Sequence, residues 1–358
     1  MISCFDSDIS TDDKERVLET LSSKILAFGP NVSKFEDRYS SFSNKEYNVG
    51  FNSASSAAYL LYQYLYESLG PCRVYTPSLG FVSPVFAAMK NNHEVVFTDV
   101  DENLLMSVES LKNSIIKDDK PNIVMPVLYG GVSDIPGLES FCQENSCIII
   151  LDSAHCISPL MKHDYAFYSF HPVKPVCMSN GGLLSTDCPA AAKYMFSGRN
   201  FGRKVIGDSY DLSQSGFNFY MNNLNASLGL SQLDRCQSNA QKRKNNFTFL
   251  QNNIPKEVGY LAVHDASSSY YLSSLILNKG FSSVIMREEL LKRGIQTSFH
   301  YPFLHETTYY RQSINLPVLD SLKDRIINLP IHQNLSLEDM EKISHECIRH
   351  SRSRRQSQ

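Results

Sequence analysis

From residue 47 to residue 186 the chain repeats one pattern: a short apolar run, a turn of small or polar residues, then a longer amphipathic stretch. Runs of strand length fall at 47–51, 73–76, 94–99, 122–128, 147–151, 165–170 and 182–186. Helical spacing of apolar residues fills gaps between them at 57–69, 81–89 and 135–144. Strands separated by helical crossovers pair in parallel, and a parallel sheet must be covered on both faces. The run Ile148-Ile149-Ile150-Leu151 has no polar alternation, as expected of a strand buried on both sides. The pattern therefore predicts an α/β fold with a mostly parallel sheet flanked by helices.

The flanks read differently. Cap residues around Ser10 and apolar residues at 17, 18 and 21 predict a first helix, and 33–42 predicts a second. Beyond Arg235 a polar, basic stretch at 237–246 reads as a long connecting helix. Short β-like runs at 269–277 and 297–301 and helical patterns at 283–293 and 337–345 follow. Together they predict a large α/β domain over 1–235, a smaller α+β domain over 236–348, and a frayed basic, Ser-rich tail over 349–358.

Composition narrows the function. Of 358 residues, 34 are Lys or Arg and 37 are Asp or Glu, a net charge of −3, so the broad basic surface that binds nucleic acid is not expected. No apolar run approaches the roughly 20 residues that span a bilayer, so no membrane partner is expected. The first residues lack the basic and apolar regions of a secretory signal. Nine cysteines without a CxxC pair point to reduced thiols in the cytoplasm and to no structural metal. His155, Cys156 and His163 lack the spacing of a zinc site.

In parallel sheets the chemistry gathers at the carboxyl ends of the strands. Asp152 follows four apolar residues and is expected at the mouth of the sheet. Ser169 and Lys174 flank a short turn after another predicted strand, and Asn180-Gly181-Gly182 forms a flexible turn into the next. Ser53-Ala54-Ser55-Ser56 opens a helix whose unpaired N–H groups and hydroxyls suit an anion. A phosphate cradle, a buried carboxylate and a lysine are together what pyridoxal 5′-phosphate requires. Singly each residue has a plainer explanation: a strand-end Asp caps helices, and His155 or Phe81 alone reads as core.

These strings, in this order, resemble the DegT/DnrJ/EryC1/StrS sugar-nucleotide aminotransferases. Phe28-Gly29-Pro30 through Phe35-Glu36 is similar to the family's opening motif, Ser53-Ala54-Ser55-Ser56-Ala57 to its phosphate turn, and Pro77-Ser78-Leu79-Gly80-Phe81 to its aromatic segment. Phe97-Thr98-Asp99-Val100-Asp101, Leu151-Asp152-Ser153-Ala154-His155, Ser169-Phe170-His171-Pro172-Val173-Lys174, Gly216-Phe217-Asn218-Phe219-Tyr220-Met221 and Asn328-Leu329-Pro330-Ile331-His332 resemble later family motifs. The string at 169–175 is most like enzymes that aminate C4 of UDP-linked 4-keto-6-deoxy hexosamines.

The resemblance implies the aspartate-aminotransferase fold type I, with a seven-stranded, mostly parallel sheet and a smaller C-terminal α+β domain. It implies pyridoxal 5′-phosphate as cofactor and a reaction moving an amine from an amino acid, glutamate, to a ketone on a nucleotide-linked deoxysugar, for amino-sugar or surface-polysaccharide biosynthesis. Lys174 corresponds to the Schiff-base lysine and proton shuttle, and Asp152 to the partner of the pyridinium nitrogen. His155 and Phe81 correspond to residues beside and stacked on the ring, and Ala54, Ser55 and Ser169 to phosphate contacts. Asn218 corresponds to an Asn that reaches the phosphate from a second subunit, which implies a homodimer with shared sites.

The chain departs from the family at four places: Tyr220 stands for Arg, Gly80 for Thr, Leu151 for Glu, and the pair Ser179-Asn180 for a small residue followed by Glu. They bear on how sugar and donor are gripped more than on the cofactor. Two other functions are open. A sugar dehydratase of the same family carries His where this chain has Lys174, and a non-catalytic regulatory protein on this scaffold would need neither Lys174 nor Asp152.

Overall fold

A computed structural model describes residues 1–310 and 314–355, the segment 350–355 as backbone only. Two helices come first, α1 (Thr11–Ser23) and α2 (Pro30–Ser43). Ser10 caps α1: its hydroxyl accepts the Asp13 N–H while the Asp13 carboxylate accepts the Ser10 N–H, a reciprocal box that satisfies two otherwise unpaired donors. The α/β repeat then runs β1 (Tyr47–Phe51), α3 (Ala54–Leu69), β2 (Arg73–Pro77), α4 (Val82–Lys90), β3 (Glu94–Thr98), α5 (Val108–Ser114), β4 (Asn122–Val124), α6 (Leu138–Glu144), β5 (Ile148–Asp152), β6 (Tyr165–Ser169) and β7 (Gly182–Thr186).

The seven strands make one sheet in the order β1-β7-β6-β5-β4-β2-β3. Only β7 runs against its neighbours, so the sheet is mostly parallel with helices around it, as the alternation predicted. The register decides what meets at its carboxyl edge. Asp152 pairs with Phe167, Ser169 with Gly182, and Phe51 with Gly182. The ends of β5, β6 and β1 and the start of β7 are thereby brought together.

After β7 come α7 (Pro189–Gly198) and a hairpin, β8 (Arg203–Ile206) and β9 (Ser209–Leu212), which the sequence pattern did not predict. The connecting helix α8 (Asn223–Asn253) is far longer than the 237–246 expected and runs unbroken across residue 235. An antiparallel three-stranded sheet, β10 (Gly259–Leu261), β11 (Ser273–Leu277) and β12 (Ile326–Leu329), follows with α9 (Ser283–Lys292), α10 (Pro317–Leu322) and α11 (Leu337–Arg355). The run at 297–301 is not a strand. It makes a single bridge, Ser298 to Asn328, and the next residues, His300 and Tyr301, leave β12 to line a cavity instead of extending the pairing. The tail expected to fray from residue 349 continues α11 through Arg355, and 356–358 lie outside the described residues.

Two apolar cores result. The larger surrounds the seven-stranded sheet and takes in Phe35, Tyr39, Tyr168 and Phe170, together with Tyr271, Phe303 and Leu304 from the C-terminal part. The smaller packs β11 and β12 against α9 and α11 and includes Ile2 and Phe247. Between α2 and β1 lies a buried ion pair: Arg199 bonds Glu36, and both bond the Gly50 backbone, each at 2.7 Å. Arg199→Met leaves the Glu36 carboxylate without its cation, and the expected loss is about 3–5 kcal/mol of stability. Denaturant unfolding measures this. The loss shrinks on acidification, because burial already raises the Glu36 carboxyl and a protonated one carries no charge to bury. A loss under about 1 kcal/mol would show that Glu36 finds water or another partner.

Candidate active site

The carboxyl edge of the sheet opens on a cavity of about 360 Å³. Its walls include Ala54, Ser55, Phe81, Asp152, His155, Ser169 and Lys174, seven of the eight residues singled out from sequence. Asn218 is the exception. It is exposed beside the β8–β9 hairpin, and its carbonyl accepts the Asn52 amide at 3.0 Å.

One wall is the start of α3. Ser53 caps the helix by accepting the Ser56 N–H at 3.1 Å. The Ala54 and Ser55 N–H groups have no acceptor among the described residues, and the Ser55 hydroxyl reaches only Ser83, at 2.8 Å. Gly182 makes room for this turn: a Cβ there would lie 2.3 Å from the Ala54 nitrogen and 2.2 Å from the Ser53 carbonyl carbon. Free N–H groups, the positive end of the helix and two hydroxyls at 55 and 169 form an anion cradle. Gly182→Ala is expected to push β7 off the α3 start and weaken inorganic phosphate binding at least tenfold; calorimetry with phosphate checks it.

Asp152 ends β5 and is 3% exposed. Only its Oδ1 is hydrogen-bonded among the described residues, to the Ala154 N–H at 3.0 Å. Burial holds the carboxyl up at about 6, against the pull of that N–H and of Lys174. A buried carboxylate with so few donors is suited to a cationic partner in the cavity.

Lys174 sits in the turn after β6, tied by its N–H to the His171 carbonyl at 2.8 Å. The residue keeps some surface through the cavity, but its amine is enclosed on nearly every side. Burial pushes the ammonium down to about 7, and the Asp152 charge opposes this. A lysine desolvated in this way has a free amine near neutral pH, which a nucleophile or proton carrier needs.

His155 is buried and neutral, held well below its ordinary range by burial and by the Lys174 and His300 charges. Its Nδ1 accepts the Gly130 N–H at 3.3 Å, so the proton lies on Nε2, which faces the Tyr301 hydroxyl at 3.0 Å. Phe81 caps α4 and is half exposed on the cavity side, its ring 5.5 Å from that of Tyr301.

Sequence reasoning missed Tyr271, His300 and Tyr301, which close the cavity from the C-terminal part. They lie 90 or more residues from the other walls, in β-like runs that carry no sign of chemistry. Of the departures, Leu151 is fully buried in β5, while Tyr220 packs on Phe28 with ring centres 4.3 Å apart. A Cβ at Gly80 would lie 3.1 Å from Val127. The residues fit pyridoxal phosphate: an anion cradle, an under-bonded buried carboxylate, an amine that gives up its proton near neutral pH and an exposed aromatic face converge on one cavity.

Comparisons of sequence and fold give the family. The sequence matches the DegT/DnrJ/EryC1/StrS aminotransferase family over residues 7–347. A Helicobacter pylori protein named UDP-4-amino-4,6-dideoxy-N-acetyl-beta-L-altrosamine transaminase is 28% identical over 372 residues, covering 95% of each chain. The spore coat polysaccharide biosynthesis protein SpsC of Bacillus subtilis is 25% identical, covering 94% of this chain and 93% of its own. The structure of Helicobacter pylori PseC, an aminotransferase involved in the biosynthesis of pseudoaminic acid, superposes with a TM-score of 0.90 at 25% identity, covering 98% of this chain and 99% of its own. The putative sugar aminotransferase Spr1654 of Streptococcus pneumoniae, in its PMP form, shares the fold with a TM-score of 0.89 at 23% identity over 99% of this chain and 100% of its own. No helix among the described residues is long and apolar enough to cross a membrane. The chain belongs to the DegT/DnrJ/EryC1/StrS aminotransferase family.

Proposed function

We propose that this aminotransferase uses pyridoxal 5′-phosphate to move an amine from glutamate to the ketone of a UDP-linked 4-keto-6-deoxy hexosamine, in the cytoplasm, for a surface polysaccharide. The carrying observation is the pairing of Asp152 and Lys174 across one cavity whose rim is an anion cradle. When bound, the cofactor supplies an electron sink for the carbon that loses its proton. Asp152 would balance positive charge on the ring nitrogen. Ala54, Ser55 and Ser169 would bind the phosphate. Phe81 and His155 would flank the ring, His155 neutral and able to donate from Nε2. The Lys174 amine would hold the cofactor and serve as the proton carrier of the reaction. The sugar assignment follows the names carried by the relatives from Helicobacter pylori and Campylobacter jejuni.

The working unit in this reading is a homodimer with shared sites. Val205 and Leu212 of the hairpin are 78% and 63% exposed in the single chain, apolar area that a second copy would cover. Asn218, outside its own chain's cavity, is then available to the partner's phosphate. Each chain divides into a larger body through about residue 235 and a smaller one over 236–348, with α8 joining them.

Borohydride trapping tests this reading. Cofactor-free protein mixed with pyridoxal phosphate is expected to gain a visible absorption band, and reduction to leave the cofactor fixed on the peptide containing Lys174. Glutamate with a panel of UDP-, GDP- and dTDP-linked keto-deoxy sugars then reports the substrate. A protein that takes up no cofactor, or is labelled at another lysine, overturns the assignment.

A further inference from the structure

We propose that Tyr271 is a positioning residue for Lys174, its ring face holding the amine in place and favouring its protonated form; this rests on the reading of Lys174 as the reacting amine. The Lys174 Nζ lies 4.5 Å from the centre of the Tyr271 ring. It has no hydrogen-bond acceptor among the described residues. An ammonium at that distance from an aromatic face is attracted by the ring quadrupole, and more strongly where water is excluded.

The ring is itself held on all sides. Phe5 stacks on it at 5.5 Å, and the His155 ring is 4.5 Å away. The Tyr271 N–H donates to the Gly130 carbonyl at 2.8 Å. Gly131, with φ +99, lets the chain pass: a Cβ there would be 2.8 Å from the His155 carbonyl oxygen and 3.2 Å from the Tyr271 nitrogen. The same glycine pair therefore sets the heights of His155 and Tyr271 around the lysine. A segment just before β11 thus reaches across to the turn after β6.

The hydroxyl takes no part. It is buried without a hydrogen-bond partner. Removing an unsatisfied buried hydroxyl is close to neutral for stability, so Tyr271→Phe keeps the ring and the fold.

Other charges also face the amine. Asp152 favours the ammonium from the end of β5. His155, His171 and His300 stand around the cavity, each kept low by burial and by the Lys174 charge. Behind the lysine, Asp6, Arg243 and His332 line a small chamber that Tyr271 shares. All of these are the same in every variant below, so a change confined to the ring isolates its contribution.

The test is the pH dependence of Lys174 acylation by acetic anhydride in cofactor-free protein, read by peptide mass. Wild type and Tyr271→Phe are expected to share a midpoint. Tyr271→Leu is expected to lower it by about half to one and a half pH units, because the ammonium loses its attraction. Pentafluorophenylalanine in place of Tyr271 keeps shape and packing while removing the negative face, and is expected to lower the midpoint similarly. A pentafluorophenylalanine midpoint equal to that of Phe, or a Phe midpoint as low as that of Leu, overturns the proposal. Protection of Lys174 from acylation by added pyridoxal phosphate is scored separately in the wild type. Its failure would overturn the cofactor assignment and leave the midpoint comparison intact.

Discussion

Lys174→Ala is expected to lower the transamination rate by about 10³-fold or more, the scale of losing a positioned acid–base group, while the protein stays folded. The stability side follows from the environment of the amine. In the cofactor-free protein the folded chain binds the Lys174 proton only below about 7, whereas the unfolded chain keeps it up to the ordinary value of 10.5. Between those values the unfolded state holds more protons, so stability rises with pH across that window. Lys174→Ala removes this part of the rise. The measurement is a pair of unfolding curves, wild type and variant, taken from pH 6 to pH 10, with a half-reaction assay at each end. A variant that keeps its rate would show that Lys174 is not the reacting amine. A wild-type curve with the same slope as the variant would show that the amine is solvated.

Asp152→Asn is expected to weaken cofactor binding and to lower the rate by about 10²–10³-fold, the scale of removing one preorganised charge from an active site. An Asn oxygen can still accept the Ala154 N–H, so the turn keeps its shape. It cannot balance a positive ring nitrogen. The cofactor-free variant is expected to be as stable as the wild type or more so, because a buried carboxylate with few donors has been replaced by a neutral group. Absorbance titration with pyridoxal phosphate and thermal unfolding read the two effects. Loss of stability with unchanged binding would place Asp152 among the structural residues of β5.

The seven strands of the large sheet were legible because burial on both faces selects unbroken apolar runs, and small or polar turns bound each run. Asp152, Ser169 and Lys174 were legible because they follow such runs within a few residues. The β8–β9 hairpin was not. Its strands of four residues mix Arg203 and Lys204 with Val205 and Ile206 and are exposed on both faces, so no burial period is written into them. The length of α8 was missed because its buried face changes character along the helix, from Ala226, Leu230 and Leu233 through the polar Asn239 and Arg243 to Phe247 and Leu250, so no single apolar stripe marks it as one element.

The sequence alone determined the α/β architecture, through its repeated period, and pointed to the family, through the resemblance of its motif strings; seven of the eight residues it singled out line the cavity, because most of them directly follow a strand. The tertiary structure alone decided what surrounds them. Tyr271, His300 and Tyr301 arrive from beyond α8 by packing. The protonation of Lys174 and Asp152 depends on how completely that packing excludes water, a property no local string of residues carries.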